Sequence, residues 1–304
     1  RHLKERKPVD FLGKKKIFFI VSIILCLAGP VMMGVNHARG IGAMNYSLDF
    51  VGGTSTNVTF DKDYSIDEID KEIVPVVEKV TGDNNVQTQK VAGTNQVIIK
   101  TVTLDLDKRE ALNKAMVDNF GVDESKITAE NISSTVSNEM RRDAVIAVVI
   151  ATICMLLYIW FRFKDIRFAT SAVLALLHDV LVVVGFYAIA RISVGNTFIA
   201  CMLTIVGYSI NATIVIFDRI REEMRGKTKS SDVAAVVNKS ITQTLTRSIY
   251  TSLTTFIMVA VLYVMGVSSI KEFALPLMVG VVCGAYSSVC ITGALWYVMK
   301  RFKK

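Results

Sequence analysis

His178 and Asp179 stand side by side near the middle of an apolar run, residues 168–190. Imidazole and carboxylate together can hold or pass a proton or meet a cation. An ionised Asp at the centre of a bilayer costs about 2.5–3.5 kcal/mol on insertion scales, so it requires a partner or a wet path. Two readings stand side by side: a proton or ion relay or an interhelix charge pair, and a hydrogen bond that only fixes helix packing. In the next run Thr197, Thr204, Tyr208 and Asn211 recur at helical spacing as a polar stripe, with Gly207 leaving room for a close neighbour. The run after that opens with Arg247, Ser248, Tyr250, Thr251, Ser252, Thr254 and Thr255, polar enough to line a path with the stripe. Arg247 is equally placed to reach the membrane surface. The structural alternative for the stripe is ordinary interhelical hydrogen bonding, worth about 0.6 kcal/mol per pair.

Other features carry less chemistry. Gly280-x-x-x-Gly284 reads as a packing face. The segment from Asp218 to Arg225 reads as a charged helix extension whose basic residues anchor it at the membrane surface, in preference to a partner site. The chain has no His-Glu-x-x-His, no phosphate loop and no Gly-x-Ser-x-Gly. An intramembrane hydrolase would have His178 and Asp179 but no nucleophile, so the chain is expected not to be an enzyme. No cofactor or metal is expected either. Cys26, Cys154, Cys201, Cys283 and Cys290 all fall in apolar stretches, which suits small packing residues and not a disulfide framework or zinc cluster.

The elements that must position these residues are spans. With 52% hydrophobic residues the chain is too apolar for an ordinary soluble domain. Runs long enough to cross a bilayer cover about 17–35, 144–163, 168–190, 196–217, 249–268 and 273–299. Pro30 is expected to kink or end the first. The net charge of +8 is unevenly placed: residues 36–143 hold 12 Lys/Arg against 18 Asp/Glu. Of the 23 Lys/Arg elsewhere, 21 lie in 1–16, 162–167, 218–248 and 300–304, and the two short loops on the opposite side hold only Arg191 and Lys271. Positive-inside bias therefore predicts cytoplasmic N- and C-termini (1–16 and 300–304), a cytoplasmic loop at 218–248, and an extracytoplasmic domain at 36–143. The basic clusters have this role, and no nucleic-acid partner is expected. The basic start is followed by no small-residue cleavage site, so no removable signal peptide is expected.

The 36–143 domain reads as alternating elements. A strand is predicted over Tyr46 to Phe60, a helix from the Ser65-Ile66-Asp67-Glu68 cap to about Val80, and a hairpin of Val86–Val91 with Gln96–Val102. A helix over Asp107 to Phe120 and a strand over Ile127 to Val136 complete the order. That βαββαβ order predicts an α+β ferredoxin-like sandwich inserted between the first and second transmembrane helices.

Leu48-Asp49-Phe50-Val51-Gly52-Gly53-Thr54 resembles the outer-domain opening of a known family, with Asp49, Gly52, Gly53 and Thr54 carrying the likeness. Phe161-Arg162-Phe163, Leu177-His178-Asp179, Gly207-Tyr208-Ser209-Ile210-Asn211, Asp218-Arg219-Ile220-Arg221-Glu222 and Thr242-Gln243-Thr244-Leu245-Thr246-Arg247 follow in the family's order and spacing. The chain is thereby similar to the SecD/SecF family of bacterial protein translocase subunits, on its SecF side, within the resistance–nodulation–division superfamily. The resemblance implies pairing with SecD, action after the SecYEG channel on a translocating unfolded polypeptide, and a proton or sodium gradient as driving force in the bacterial inner membrane. It marks Asp179, His178, Tyr208, Asn211 and Arg247 as relay candidates. The family's fourth-span motif continues with a relay Asp where this chain has Ala212, and a methyl group carries no proton. The chain then couples through its SecD half, couples weakly, or serves as a scaffold without its own relay. A related exporter of lipid or small molecules is the other transport reading.

Overall fold

The structure is a computed structural model that describes residues 10–39, 44, 46–84, 86–91, 93–225, 230–266 and 268–302. Among the described residues six helices are long and apolar enough to cross a membrane. They are α1 (Lys15–Ala38), α6 (Ser134–Phe163), α7 (Ile166–Ala190), α8 (Asn196–Glu223), α9 (Ser230–Met265), and α10 (Ser268–Ser287) continued through a π-helical turn at Ser288–Thr292 into α11 (Gly293–Phe302). Helix is the form such runs must take, because a bilayer offers no water to satisfy their backbone groups.

Three helix limits differ from the sequence expectation. α1 runs to Ala38, beyond the expected end at residue 35, with Pro30 inside it. Two contacts with α7 bracket it there. Gly29 meets Gly185 so closely that a Cβ on Gly29 would lie 2.7 Å from the Gly185 Cα. Beyond the proline, Asn36 Nδ2 donates to the Ala188 carbonyl at 3.1 Å. α6 begins already at Ser134, capped by the Ser133 hydroxyl, which accepts from the Val136 N–H at 3.2 Å. The segment 218–248 is largely helix and not loop, because Val233, Val236, Val237 and Ile241 form a buried stripe at helical spacing. Val233, Val237 and Ile241 pack in one cluster with Phe168, Phe217 and Trp296.

The remaining elements form a small domain around a four-stranded antiparallel sheet. Its strands are β1 (Gly53–Thr59), β2 (Gln87–Lys90), β3 (Gln96–Thr101) and β4 (Ile127–Ile132), in the order β2-β3-β1-β4. Between β1 and β2 the chain is helical as α3 (Ile66–Glu68), a π-turn at Ile69–Ile73 and α4 (Val74–Thr81), and α5 (Leu106–Phe120) precedes β4. Ser65 caps the first of these by accepting from Glu68 N at 3.2 Å, and Asp105 caps α5 by accepting from Lys108 N at 2.8 Å. Val58 and Ile99 of the sheet pack with Ile73, Val77, Leu112 and Met116 of the helices in a fully buried core.

The predicted strand over Tyr46 to Phe60 is shorter than its alternation suggests. Leu48–Val51 make a helical turn, α2, and the strand starts only at Gly53. One helical turn buries Leu48 and Phe50, as alternation would, and the Ser137 hydroxyl holds it by donating to the Leu48 carbonyl at 3.0 Å. Gly52 and Gly53 then take φ of 76° and 138°, which side-chain-bearing residues rarely adopt. A Cβ on Gly53 would also lie 2.3 Å from the Thr101 carbonyl oxygen. The domain is tied to the helix bundle here, where Tyr46 bridges to Val194 and Ser47 N donates to the Val194 carbonyl at 2.9 Å.

Candidate functional site in the helix bundle

Asp179 has no exposed surface, and its carboxylate is held from three helices. Ser209 of α8 and Ser287 of α10 donate to Oδ2 at 2.6 and 2.9 Å. Cys283 of α10 donates to Oδ1 at 3.2 Å, and His178 Nδ1 lies 3.0 Å from the same oxygen. With Nδ1 protonated toward the carboxylate, His178 Nε2 is the free acceptor, and it is buried with no hydrogen-bond partner among the described residues. Hydrogen bonding of this kind stabilises a carboxylate that would otherwise be costly in an apolar bundle. His178 Nδ1, an Asp179 oxygen and Cys283 Sγ all lie within 4.8 Å of one another, a donor set that suits a borderline metal. In the structure those atoms are engaged with each other.

A second polar place lies on the other side of α8. Tyr208, Asn211, Ala212 and Val215 of α8 and Arg247, Ser248, Thr251 and Ser252 of α9 line a cavity of about 50 Å³. The Tyr208 hydroxyl donates to Ser252 Oγ at 2.6 Å across it. The structure thus brings Tyr208, Asn211, Ala212 and Arg247 together, and places His178 and Asp179 elsewhere. Thr204, Asn211, Arg247, Thr251 and Thr254 are exposed along this side. The threonines donate to carbonyls of their own helix, but neither the Asn211 nor the Arg247 side chain has a hydrogen-bond or ion-pair partner among the described residues. A Cβ on Gly207 would meet nothing within 4 Å, so its expected close neighbour is not among the described residues. Gly280 and Gly284 do serve as a packing face, with Ile205 and the Tyr208 ring lying over them.

Two further motifs have structural partners. Thr54 is buried, donates to Asn131 Oδ1 at 2.5 Å and accepts from Leu104 N at 2.9 Å, which ties β1 to β4 and to the turn before α5. The Asp49 side chain lies outside the described residues. The charged segment after Asp218 was expected to anchor a helix extension at the membrane surface, and its charges also pair with neighbouring helix ends. Arg162 reaches Asp218 at 2.6 Å, Arg219 reaches Glu223 at 3.2 Å and Gln243 Oε1 at 2.7 Å, and Lys239 reaches Glu223 at 3.3 Å. Neighbouring helix ends supply opposite charges, so the segment joins α6, α8 and α9.

Sequence reasoning missed Ser209, Cys283 and Ser287 as partners of Asp179. Ser209 comes from α8 and the other two from α10, all distant from Asp179 in sequence, and the one signal for the α10 pair was the small residues continuing beyond Gly280 and Gly284 toward Ser287.

The C-terminal family of protein export membrane proteins SecD/SecF matches residues 112–302. Protein translocase subunit SecF of Petrotoga mobilis is 35% identical over 97% of this chain and 98% of its own length. Protein translocase subunit SecF of Sebaldella termitidis is 38% identical over 97% of this chain and 93% of its own length. Protein translocase subunit SecDF of Bacillus subtilis is 36% identical over 96% of this chain but only 38% of its own length. The crystal structure of SecDF, a translocon-associated membrane protein from Thermus thermophilus, superposes with a TM-score of 0.79 at 30% identity, covering 97% of this chain and 39% of that one. The chain therefore spans about two-fifths of the SecDF chains and nearly all of the SecF chains. Six spans, the inserted sheet domain and these matches agree: the chain belongs to the SecD/SecF family of multi-pass membrane proteins of protein export.

Proposed function

We propose that this chain is the SecF-like half of a two-part export machine, a non-enzymatic subunit that packs its α8–α9 polar face against a SecD-like half and draws on an ion gradient. The observation that carries the reading is the exposed stripe of Asn211 and Arg247 on two helices long and apolar enough to cross a membrane. An unpartnered guanidinium and amide facing lipid are costly, so a covering surface with complementary groups is required. The SecDF relatives, more than twice as long as the part this chain matches, supply a candidate for that surface. The machine would sit in the bacterial inner membrane with both termini cytoplasmic and the sheet domain outside, as the charge distribution favours. Strand order β4-β1-β3-β2 with helices on one face supports a ferredoxin-like reading of that domain. There it would meet polypeptide leaving the SecYEG channel.

Ala212 lines the cavity where the family's relay carboxylate would stand, and Asp179 is sealed on the far side of α8. The carboxylate that faces Arg247 in the working machine therefore comes from the SecD-like half. The test is gradient-dependent export in membrane vesicles carrying both halves, with Arg247→Gln in this one. Export should lose its dependence on the gradient while the halves stay associated. Unchanged coupling would remove Arg247 from the ion path. It would leave the scaffold reading, which Ala212 independently favours.

A further inference from the structure

A hollow of about 360 Å³ lies between the sheet domain and the helix ends beneath it. Lys90 and Lys100 line it from the sheet, and Arg191 and Lys271 line it from the ends of the spans. Arg191 and Lys271 are the two basic residues of the short span-to-span connections on this side, which are otherwise free of positive charge. Membrane-surface charge placement alone does not call for cations here, since this is the end where basic residues are scarce. Both nevertheless converge on one cavity, joined by two lysines from a separate domain. Against the four stands one lining carboxylate, Glu272. Lys90 is shared with Asp63 at 2.7 Å, and the Lys271 ammonium lies 5.8 Å from the centre of the Tyr263 ring. The cavity is therefore net positive.

Its shape is selective as well. Lys100 follows the fully buried Ile99 in β3, so strand alternation turns it away from the helix-covered core and toward the hollow. Ile192 and Leu275 give an apolar wall at the level where the spans end, which is the headgroup level of a bilayer. Several cationic donors around one point suit an anion with several acceptor oxygens, and a phosphodiester supplies them. The adjoining apolar wall suits the glycerol and first methylenes attached to it.

We propose that this cavity is a binding site for the phosphate of an anionic phospholipid headgroup, held between the sheet domain and the ends of α7 and α10. A lipid there bridges the two parts of the chain, with Lys100 on one side and Lys271 on the other. The site does not depend on which face of the membrane the domain occupies.

The full chain is placed in nanodiscs of phosphatidylcholine containing phosphatidylglycerol, and lipid retained after extraction is counted by native mass spectrometry. Phosphatidylglycerol should be retained in preference to phosphatidylcholine, and Lys100→Gln with Lys271→Gln should weaken retention roughly twentyfold. Lys62→Gln, which removes a lysine outside the cavity, should leave retention unchanged. Lys100→Arg with Lys271→Arg should restore most of it, which separates lost charge from lost fold. Equal retention in the double Gln variant overturns the proposal, as does equal retention of the two lipids. Binding of inorganic phosphate or of a soluble acidic peptide at the same lysines, with no retained phosphatidylglycerol, overturns it too and reassigns the cavity to that ligand.

Discussion

The Ser209 hydroxyl of α8 donates a 2.6 Å hydrogen bond to Asp179 Oδ2 of α7, while its neighbour Tyr208 turns to Ser252 of α9. Consecutive residues of one helix thus divide the polar interior in two. One part is sealed inside the chain around Asp179, and the other opens along the α8–α9 side around Arg247. The two parts are expected to respond differently to substitution.

Asp179→Ala should destabilise the bundle by about 2 kcal/mol, because the donors from Ser209, Ser287 and Cys283 lose their acceptor together. Asp179→Asn keeps an acceptor oxygen and should cost less than half of that. Thermal unfolding in detergent reads the difference. Gradient-dependent export should survive Asp179→Asn; its loss with the two halves still associated would make Asp179 a relay group.

Ala212→Asp places a titratable carboxylate in the cavity that Arg247 lines. Export by paired halves should become more steeply dependent on the gradient and on pH. An unchanged profile would mean that the missing carboxylate is not what sets coupling in this chain.

Gly185→Ala and Gly207→Leu make a contrasting pair. A Cβ at Gly185 would lie 2.9 Å from the Gly29 Cα, and backbone gives way only if α1 and α7 separate, at about 1–3 kcal/mol. At Gly207 the same addition meets open space, so the chain alone should keep its stability. Association with the SecD-like half should weaken instead, read by co-purification.

Thr54→Val should destabilise the sheet domain by about 1–3 kcal/mol, since the buried Leu104 N–H then has no acceptor. Amide hydrogen exchange across β1, β4 and the turn before α5 should quicken while the helix bundle keeps its protection.

Much of this was legible in the sequence because it is one-dimensional information. Apolar run length gave the six spans, and the Ser65 cap, the helix pattern of Asp107 to Phe120 and the hairpin residues marked the order of the sheet domain. What failed was information carried by distant contacts. Leu48 and Phe50 alternate as a strand would, yet one helical turn buries both once Ser137 from α6 caps it. Asp218 and Arg219 look like a membrane-surface anchor until Arg162, Gln243 and Lys239 arrive from other helices. His178 and Asp179 were readable as a pair, but Cys283 looked like a packing residue and its bond to the carboxylate was not foreseeable from spacing. The separation of Asp179 from Arg247 was likewise invisible, because it depends on which side of α8 each of Tyr208 and Ser209 takes.

The central claim is that the exposed stripe of α8 and α9 faces the SecD-like half. It is tested most directly by placing a photo-crosslinking amino acid at Asn211, Thr251 or, as a control, Ile150 on the exposed side of α6, in membranes containing both halves. The account predicts crosslinks to the SecD-like half from Asn211 and Thr251 and none from Ile150. Crosslinks from Ile150 alone would contradict it.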